Sequence, residues 1–540
     1  IASSSENQNA VLVVNKAQAL LTNTVIIKSG DSTNANQSNF TGLNAAILAS
    51  AYGIITLTDT DVTTDAEGAN AVFASGDGSI ITIKNIKIRT NKNSSRGLDA
   101  TYNGKILAEN ADIATKGAHC AGLATDRGEG TVTLTGGTIA TQGEGSPVIY
   151  STGKITAINV TGTAATSEIA AVEGKNSIDI ENCNLTGNGA QGILLYQSFS
   201  GDAGEGTSVF TAKNSQLTSN SDGPFFYVTN TDAKAYLSAN TISCTSGILA
   251  KASGNNGERG WGQQGSNGAS FVLSASDQKL AGDIVCDNIS EATVVLSGKS
   301  DFTGAVDNAN EGHVSLTLEK NAVWNVTKDS YIDALLDTDV AFTNIASNGH
   351  TIYYSRTNEQ NKYLGEKTFS LGGGGKLIPY TPEAKPVQVK QQNMNGQGMG
   401  MPGGMQNGQG GPGWQMSMPD IQTITGVISV SGKGSSTVLT FTASDKTVYT
   451  VTRSLKSGQP SQGKNPPPGT MASNGMGNPP PSPPSGNMGQ PPQSGNNAGM
   501  TLPTTAELAK LAGKTLICKG IARTAPDGSK EFTIFEYTKK

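Results

Sequence analysis

The sequence predicts an all-β chain in two parts, a parallel β-solenoid followed by a small closed β-barrel. Three observations carry this: a short phrase that recurs every 23 to 32 residues, a composition without helical periodicity, and a C-terminal stretch whose strand signals follow a different pattern. Of 540 residues, 67 are Gly and only 15% are charged, and 38 basic against 43 acidic residues give a net charge of −5. With no basic block, nucleic acid is not an expected partner. No run of about 18 apolar residues occurs, so no membrane span is expected. The chain opens at Ile1 with no charged-then-apolar leader, which reads as a processed, exported polypeptide and sets an extracellular or cell-surface location as the expectation. Five Cys are too few for a disulfide scaffold.

Proline and methionine divide the chain. Of 21 Pro, only Pro147 and Pro224 precede Pro379, and all ten Met lie between Met394 and Met500. The expected organisation is an N-terminal cap or intermolecular strand segment over 1–52, a solenoid over 53–380, a Gly/Met/Gln-rich linker over 381–420, and a barrel over 421–540 interrupted by a low-complexity insert at 454–502. The neutral Pro/Gly/Asn/Met tracts have little that builds a core, and 466–468 and 479–484 have polyproline character.

Within the solenoid region the phrase is LTDTDV at Leu57, IKNIKI at Ile83, AENADI at Ala108, LTGGTI at Leu134, AINVTG at Ala157, IENCNL at Ile180, AKNSQL at Ala212 and SANTIS at Ser238. Its third position is Asp59, Asn85, Asn110, Gly136, Asn159, Asn182, Asn214 and Asn240, with weaker echoes at Asp277 and Asn321. Three places later stands an apolar residue in most copies, such as Val62, Ile88, Ile113 and Leu185. Such a period suits one coil of a solenoid stacked on the next at about 4.8 Å. Asn tolerates the left-handed backbone of a tight turn, and its amide can bond to the equivalent amide one coil away.

From about Gly53 to Ile378 the chain resembles the right-handed parallel β-helix of pectate-lyase-like bacterial surface, adhesin-like and carbohydrate-binding proteins. That resemblance implies an Asn ladder on the interior side of the bend. It supplies the handedness, together with the general right-handed crossover preference. For a lyase on this fold, it also implies a calcium ion held by clustered carboxylates and a basic residue that removes the proton beside a uronate.

Fourteen residues after each ladder position runs a second column: Phe73, Asp99, Ala124, Tyr150, Glu173, Tyr196 and Val228. Asp99 and Glu173 are three coils apart, about 14 Å, too far to share a metal ion. Phe73, Tyr150 and Tyr196 with Glu173 form instead a candidate glycan platform, the rings stacking on sugar faces and the carboxylate accepting hydroxyl protons. The competing reading is that the rings shield the flank. His119, His313 and His350 lack ligand spacing, and the cysteines share no column. The Met tract from Met394 reads as packing rather than a soft copper site, since it holds no His or Cys.

After Thr423 come three strand signals (ITGVISV, VLTFTA, TVYTV), then the insert, a helix signal TTAELAKLAG capped by Thr504 or Thr505 and stopped at Gly513, and two more strand signals (TLICKGIAR, EFTIFEY). This order resembles an OB-fold barrel, without the basic and aromatic interleaving that single-stranded nucleic acid needs. The function expected is a non-catalytic structural or adhesive protein that assembles with copies of itself end to end and needs no cofactor. A polysaccharide-binding surface protein is the first alternative and a calcium-dependent lyase the second.

Overall fold

Each long strand of the repeat changes parity at its ladder residue, and this builds the solenoid. In Ile80–Thr90 the buried apolar residues are Ile81 and Ile83, then Ile86 and Ile88. A strict strand would alternate by two throughout. The step of three between Ile83 and Ile86 is taken up by Asn85, whose φ is +59°. Ile106, Ala108, Ala111 and Ile113 repeat the pattern around Asn110, φ +55°. Both halves of the strand therefore face one interior, and the ladder residue itself points outward.

The computed structural model describes residues 1–383, 421–431, 438–451, 508, 510–524 and 530–539, and the chain divides into two units, Ile1–Asn407 and Gly408–Lys540. The first unit is a parallel β-solenoid of about 15 turns. Its ladder-bearing strands join a 17-stranded sheet, and the shorter strands after each corner form an 11-stranded sheet that ends at Asp283–Cys286. Two four-stranded sheets belong to the last coils. Between the sheets runs one continuous apolar core, in which Phe210, Phe225, Phe226 and Phe271 pack ring on ring and Trp324 stacks on Phe302 at 6.3 Å. None of the five cysteines is in a disulfide, and four are buried.

The left-handed backbone is present at Asp59, Asn85, Asn110, Asn159, Asn182 and Asn214. Amide stacking occurs where neighbours permit it: Asn85 Nδ2 donates to Asp59 Oδ1 at 2.7 Å, and Asn110 Nδ2 donates to Asn85 Oδ1 at 2.9 Å. Gly136 then interrupts the column. Two expectations are corrected. The ladder is exterior, because the residue that absorbs the parity change is one of the two outward residues between inward-facing positions three apart. Asn240 is not part of it: Ala239 takes the left-handed turn at φ +55°, so Asn240 falls one place later and its side chain is buried.

The interior side of this corner has its own polar column, one place after the ladder. Ser215 Oγ accepts from Cys183 N, Asn240 Oδ1 from Ser215 N at 2.9 Å, Gln278 Oε1 from Asn240 N at 2.7 Å, and Ser300 Oγ from Gln278 N. At another corner Ser95, Cys120 and Ser146 do the same, each accepting from the backbone of the preceding coil. Small polar side chains thus satisfy corner amides that sheet pairing leaves over.

The first 52 residues do not form a separate cap. Gln18–Ser29 pairs in parallel with Ile54–Asp65, and Asn23 (φ +49°) sits beside Asp59. LTNTVI at Leu21 is thus another copy of the repeat phrase, and the solenoid starts a coil earlier than expected. In this coil Lys28 takes the inward position of the buried Thr64 next to it, and its Nζ donates to the carbonyls of Ser5, Ser29 and Gly30 and holds the leading segment in place. At the far end Phe369–Ser370 runs antiparallel to Lys376–Tyr380 and closes the last strand.

The second unit is a closed five-stranded barrel. Ile421–Ser431 pairs with Val438–Ala443 and with Thr515–Thr524, Val448–Val451 pairs in parallel with Lys530–Lys539, and the latter pairs with Thr515–Thr524. Leu508 and Leu511 are buried in its core beside Phe441 and Phe532. Half of the expected helix, nearly all of the linker at 381–420 and the whole insert at 454–502 lie outside the described residues.

Replacing Asn110 with Val puts a β-branched side chain at positive φ and is expected to cost about 1–3 kcal/mol, whereas Asn110→Gly removes the amide contact but relieves the backbone and costs less. Denaturant midpoints of the two variants measure the difference. Equal losses would show that the amide, not the backbone, holds the corner.

Candidate functional site

Chemistry-bearing side chains gather on the outer face of the 11-stranded sheet. An outward residue of a strand normally meets water, but here the face is roofed. The helix Ala35–Thr41, capped by Asn34 and ended by Gly42 (φ +74°), lies over Leu48 and Phe73, and Thr101 Oγ1 donates to the Phe40 carbonyl at 2.8 Å. Farther along, the segments 197–206 and 254–268 cover the next coils and are joined by the Phe199 N–H donating to the Gly260 carbonyl.

Beneath the helix edge, Arg96 faces two carboxylates, Asp126 at 2.9 Å and Asp99 at 3.8 Å, and also donates to Asn39 Oδ1 at 3.0 Å. All three charged groups are buried. Burial is the largest influence on both acids, pushing Asp99 up to about 6 and Asp126 up to about 8 against the pull of Arg96. Burial alone would lower Arg96, but the carboxylates outweigh it and its pKa ends above the ordinary value. One guanidinium cannot neutralise two buried carboxylates. The trio reaches zero net charge only with a proton on one acid, so the two titrate as a unit. Next to it Arg127 lies over the Phe40 ring at 3.9 Å and pairs with Asp202 of the cover at 2.6 Å.

Glu173 anchors the second half. Tyr150 and Tyr196 each donate a hydroxyl proton to its Oε2 at 2.8 Å, while Ser198 and Ser200 of the cover donate to Oε1. Burial, and then the Glu173 carboxylate, raise both tyrosines well above the ordinary value. Trp261 lies 4.6 Å from the Tyr196 ring, centroid to centroid, with Arg259 over its other neighbourhood at 5.1 Å.

The expected glycan platform is therefore not an open one. Phe73 is 0% exposed, Glu173 2% and Tyr196 7%, and only Tyr150 reaches partway to the surface. Tyr150, Glu173 and Tyr196 do come together, through their polar ends, but they do not form the expected column. Tyr150 pairs in register with Ala171, and Ala171 with Leu194, whereas Glu173 pairs with Tyr196 two places along. The cause is the corner between Thr141 and Ile149, which is two residues longer than the one between Ala164 and Ala170. Phe73 stands three coils from Tyr150. The geometry agrees with shielding of the flank.

The carboxylates here are engaged by guanidinium groups or hydroxyls, a donor set that does not fit a calcium ion, which takes six to eight oxygens. Among the described residues no three His, Cys, Asp or Glu converge as metal ligands, and no helix is long and apolar enough to cross a membrane.

A second grouping escaped the sequence reading. On the last coils Tyr331 and Tyr353 occupy paired positions of adjacent strands, Ser330–Ile332 and Thr351–Ser355, and stack at 4.5 Å with an 8° interplanar angle. Tyr380 stands across both at 75° and 80°, its hydroxyl donating to Asn310 Oδ1 at 3.2 Å. All three are partly exposed. Their 22-residue spacing, Tyr331 to Tyr353, was the available signal. Beside them lies a groove of about 680 Å³ lined by Gly247, Gly282, Asp283, Gly304, Asn308 and Lys328, among others.

The Arg96 trio makes stability depend on pH in a definite direction. An unfolded Asp titrates near 3.9, so between about pH 4 and 8 the folded chain holds a proton that the unfolded chain has lost. That stabilisation is full below the unfolded pKa, declines as pH rises from about 4 through the folded values of about 6 and 8, and is lost above them. The slope is at most about 1.4 kcal/mol per pH unit for one proton. Denaturant midpoints measured from pH 5 to pH 8.5 are expected to fall in the native chain and to change less in Asp99→Asn; parallel curves would refute the shared proton.

No family model, curated protein or solved structure matches the chain.

Proposed function

We propose that this chain is a non-catalytic structural and adhesive rod of the cell exterior. One observation carries the reading: over about 15 stacked turns, the acids, bases and phenols of the outer flank are bound to one another beneath covers, so the long shaft keeps its chemistry for its own stability. The fold supports it as well, since coils stacked at about 4.8 Å build a stiff element of roughly 70 Å. An exterior setting agrees with the burial of four of the five thiols, which withdraws them from oxidation. The likeness to pectate-lyase-like and adhesin-like β-helices supports the same class. In the second unit, the barrel order, with Ile421–Ser431 beside Thr515–Thr524 and a parallel pair closing it, supports the OB-like reading and suits a docking module.

End-to-end assembly has its own support. Gln18–Ser29 is paired along one side with Ile54–Asp65, but among the described residues its other side is bonded only from Val25 onward, by Ile1, Ala2 and Ser3, which leaves the Gln18–Thr24 stretch open. Leu12, Leu20 and Val25 of this coil are 53%, 72% and 56% exposed. An unpaired edge beside exposed apolar side chains is a template for strand addition by a second copy, a contact that does not close and so propagates.

Negative-stain imaging of the purified chain is expected to show rods of roughly 70 Å that join axially as concentration rises. Leu20→Lys with Val25→Lys is expected to leave single rods of unchanged shape. Release of unsaturated oligosaccharide from polygalacturonate with calcium present would defeat the non-catalytic reading.

A further inference from the structure

We infer that the last coils of the solenoid carry a binding site for a neutral polysaccharide, in which Tyr331, Tyr353 and Tyr380 form an aromatic platform next to the groove rather than part of its lining. The inference rests on the adhesive reading and supplies its ligand.

The groove exists because the sheet stops. The 11-stranded sheet ends at Asp283–Cys286, and beyond it only an isolated bridge, Ile284 to Val306, continues the pairing. The next coil then re-forms as a separate sheet beginning at Ser330–Ile332. At the break three glycines approach one another: a Cβ on Gly304 would stand 2.2 Å from the Gly282 carbonyl oxygen, and one on Gly282 would stand 2.9 Å from that of Gly247. The floor is thus partly backbone, where adjacent coils come close at glycine, and side chains such as Val285 and Thr303 complete the lining. The backbone there offers carbonyl and amide groups to hydroxyls at short range.

The polar rim suits a ligand rich in hydroxyls and without charge. Lys328 Nζ is 2.6 Å from Asp283 Oδ2, so the basic group of the groove is neutralised by its neighbour. Asn308 holds the groove edge to the following coil by donating to the Asp329 carbonyl at 2.8 Å. That coil carries the tyrosine ladder, because the Tyr331 N–H donates to the Val306 carbonyl. Asp329 and Asp333 lie along the same margin, and their charges fall on Tyr331 and Tyr380 respectively. Carboxylates accept sugar hydroxyls well and repel uronates, whereas aromatic rings contribute apolar contact to the C–H faces of a pyranose.

Unlike the flank over Glu173, this grouping has no cover among the described residues, and all three of its rings are partly exposed, whereas Tyr196 and Phe73 of the flank are buried. The two arrangements use the same residue types to opposite ends. Tyr150 and Tyr196 spend their hydroxyls on Glu173; Tyr331 and Tyr353 are held in place by stacking instead.

Affinity electrophoresis of the full chain through gels containing hydroxyethyl cellulose, galactomannan or polygalacturonate tests the inference. Retardation is expected in at least one neutral gel and not in polygalacturonate. Tyr331→Ala with Tyr353→Ala is expected to weaken that retardation roughly ten- to hundred-fold, and Tyr331→Phe with Tyr353→Phe to retain it, which separates loss of rings from loss of folding. Migration unchanged in both neutral gels, equal retardation of the Ala variant, or stronger retardation by polygalacturonate would overturn the inference. Any of these results would leave the rod and its axial joining, which are read by imaging, as a separate question.

Discussion

The structure depends on one backbone constraint, a single residue in the left-handed conformation in each long strand. Coil stacking supplies most of the hydrogen bonds, but stacking alone would give flat ribbons with an apolar face and a polar face. The left-handed residue adds one place, so residues on both sides of it face inward, and the strand bends around a common core. Asn and Asp fill the position because L-residues with short polar side chains reach positive φ at least cost. Where Asn is absent, Gly136 or Ala239 does the same work on the backbone, and the column of amides breaks while the bend persists. The bend is therefore the selected property and the amide contacts are secondary.

Once the coils are in register, every outward column becomes a row of neighbours about 4.8 Å apart, and the fate of that row depends on what covers it. Along the 11-stranded sheet the covers are the helix Ala35–Thr41 and two long corner segments. Under them the effective dielectric falls, and polar groups must find partners or shed charge. Glu173 does the first, taking four hydroxyl donors. Asp99 and Asp126 do the second, sharing Arg96 and one proton. Features that suggest catalysis, namely buried carboxylates, raised pKa values and aligned phenols, here arise from the closing of a roof over a β-sheet.

The sequence revealed the architecture because the repeat occurs often enough to average out local accidents. It also contained the direction of the ladder, since apolar residues three apart, as at Ile83 and Ile86, cannot both be inward unless the two residues between them are not. Asn240 was misplaced because Ala239 takes over its turn, and Ala carries no signature of positive φ. The Tyr150 column slipped because a fixed offset assumes equal corners, and one corner is two residues shorter. The covers were illegible for a different reason: segments 197–206 and 254–268 are rich in Gly, Ser and Asn, and nothing in such a stretch says whether it extends into solvent or folds back on a sheet. The sealed state of Tyr196 is a tertiary fact set by Trp261, sixty-five residues away.

The same logic explains why the shaft and its last coils differ. Covers need long corners, and the two that fold over the 11-stranded sheet, 197–206 and 254–268, lie before residue 270, whereas the later long corner, 356–368, packs on Ala334–Asp337 through Asn361 and Tyr363. Beyond that point the coils run to 19–25 residues, as the pairings of Ser315 with Ala334, Glu291 with His313 and Thr351 with Lys376 show, and the face at Tyr331 and Tyr353 stays partly exposed. The outer row at Tyr331 and Tyr353 is consequently left to stabilise itself by ring stacking, while the interruption of the sheet beside it leaves a trough floored partly by backbone. The antiparallel return of Phe369–Ser370 then closes the end of the stack. The same kind of outward position is thus sealed along the shaft and left partly exposed at Tyr331 and Tyr353, according to whether a corner segment folds over it.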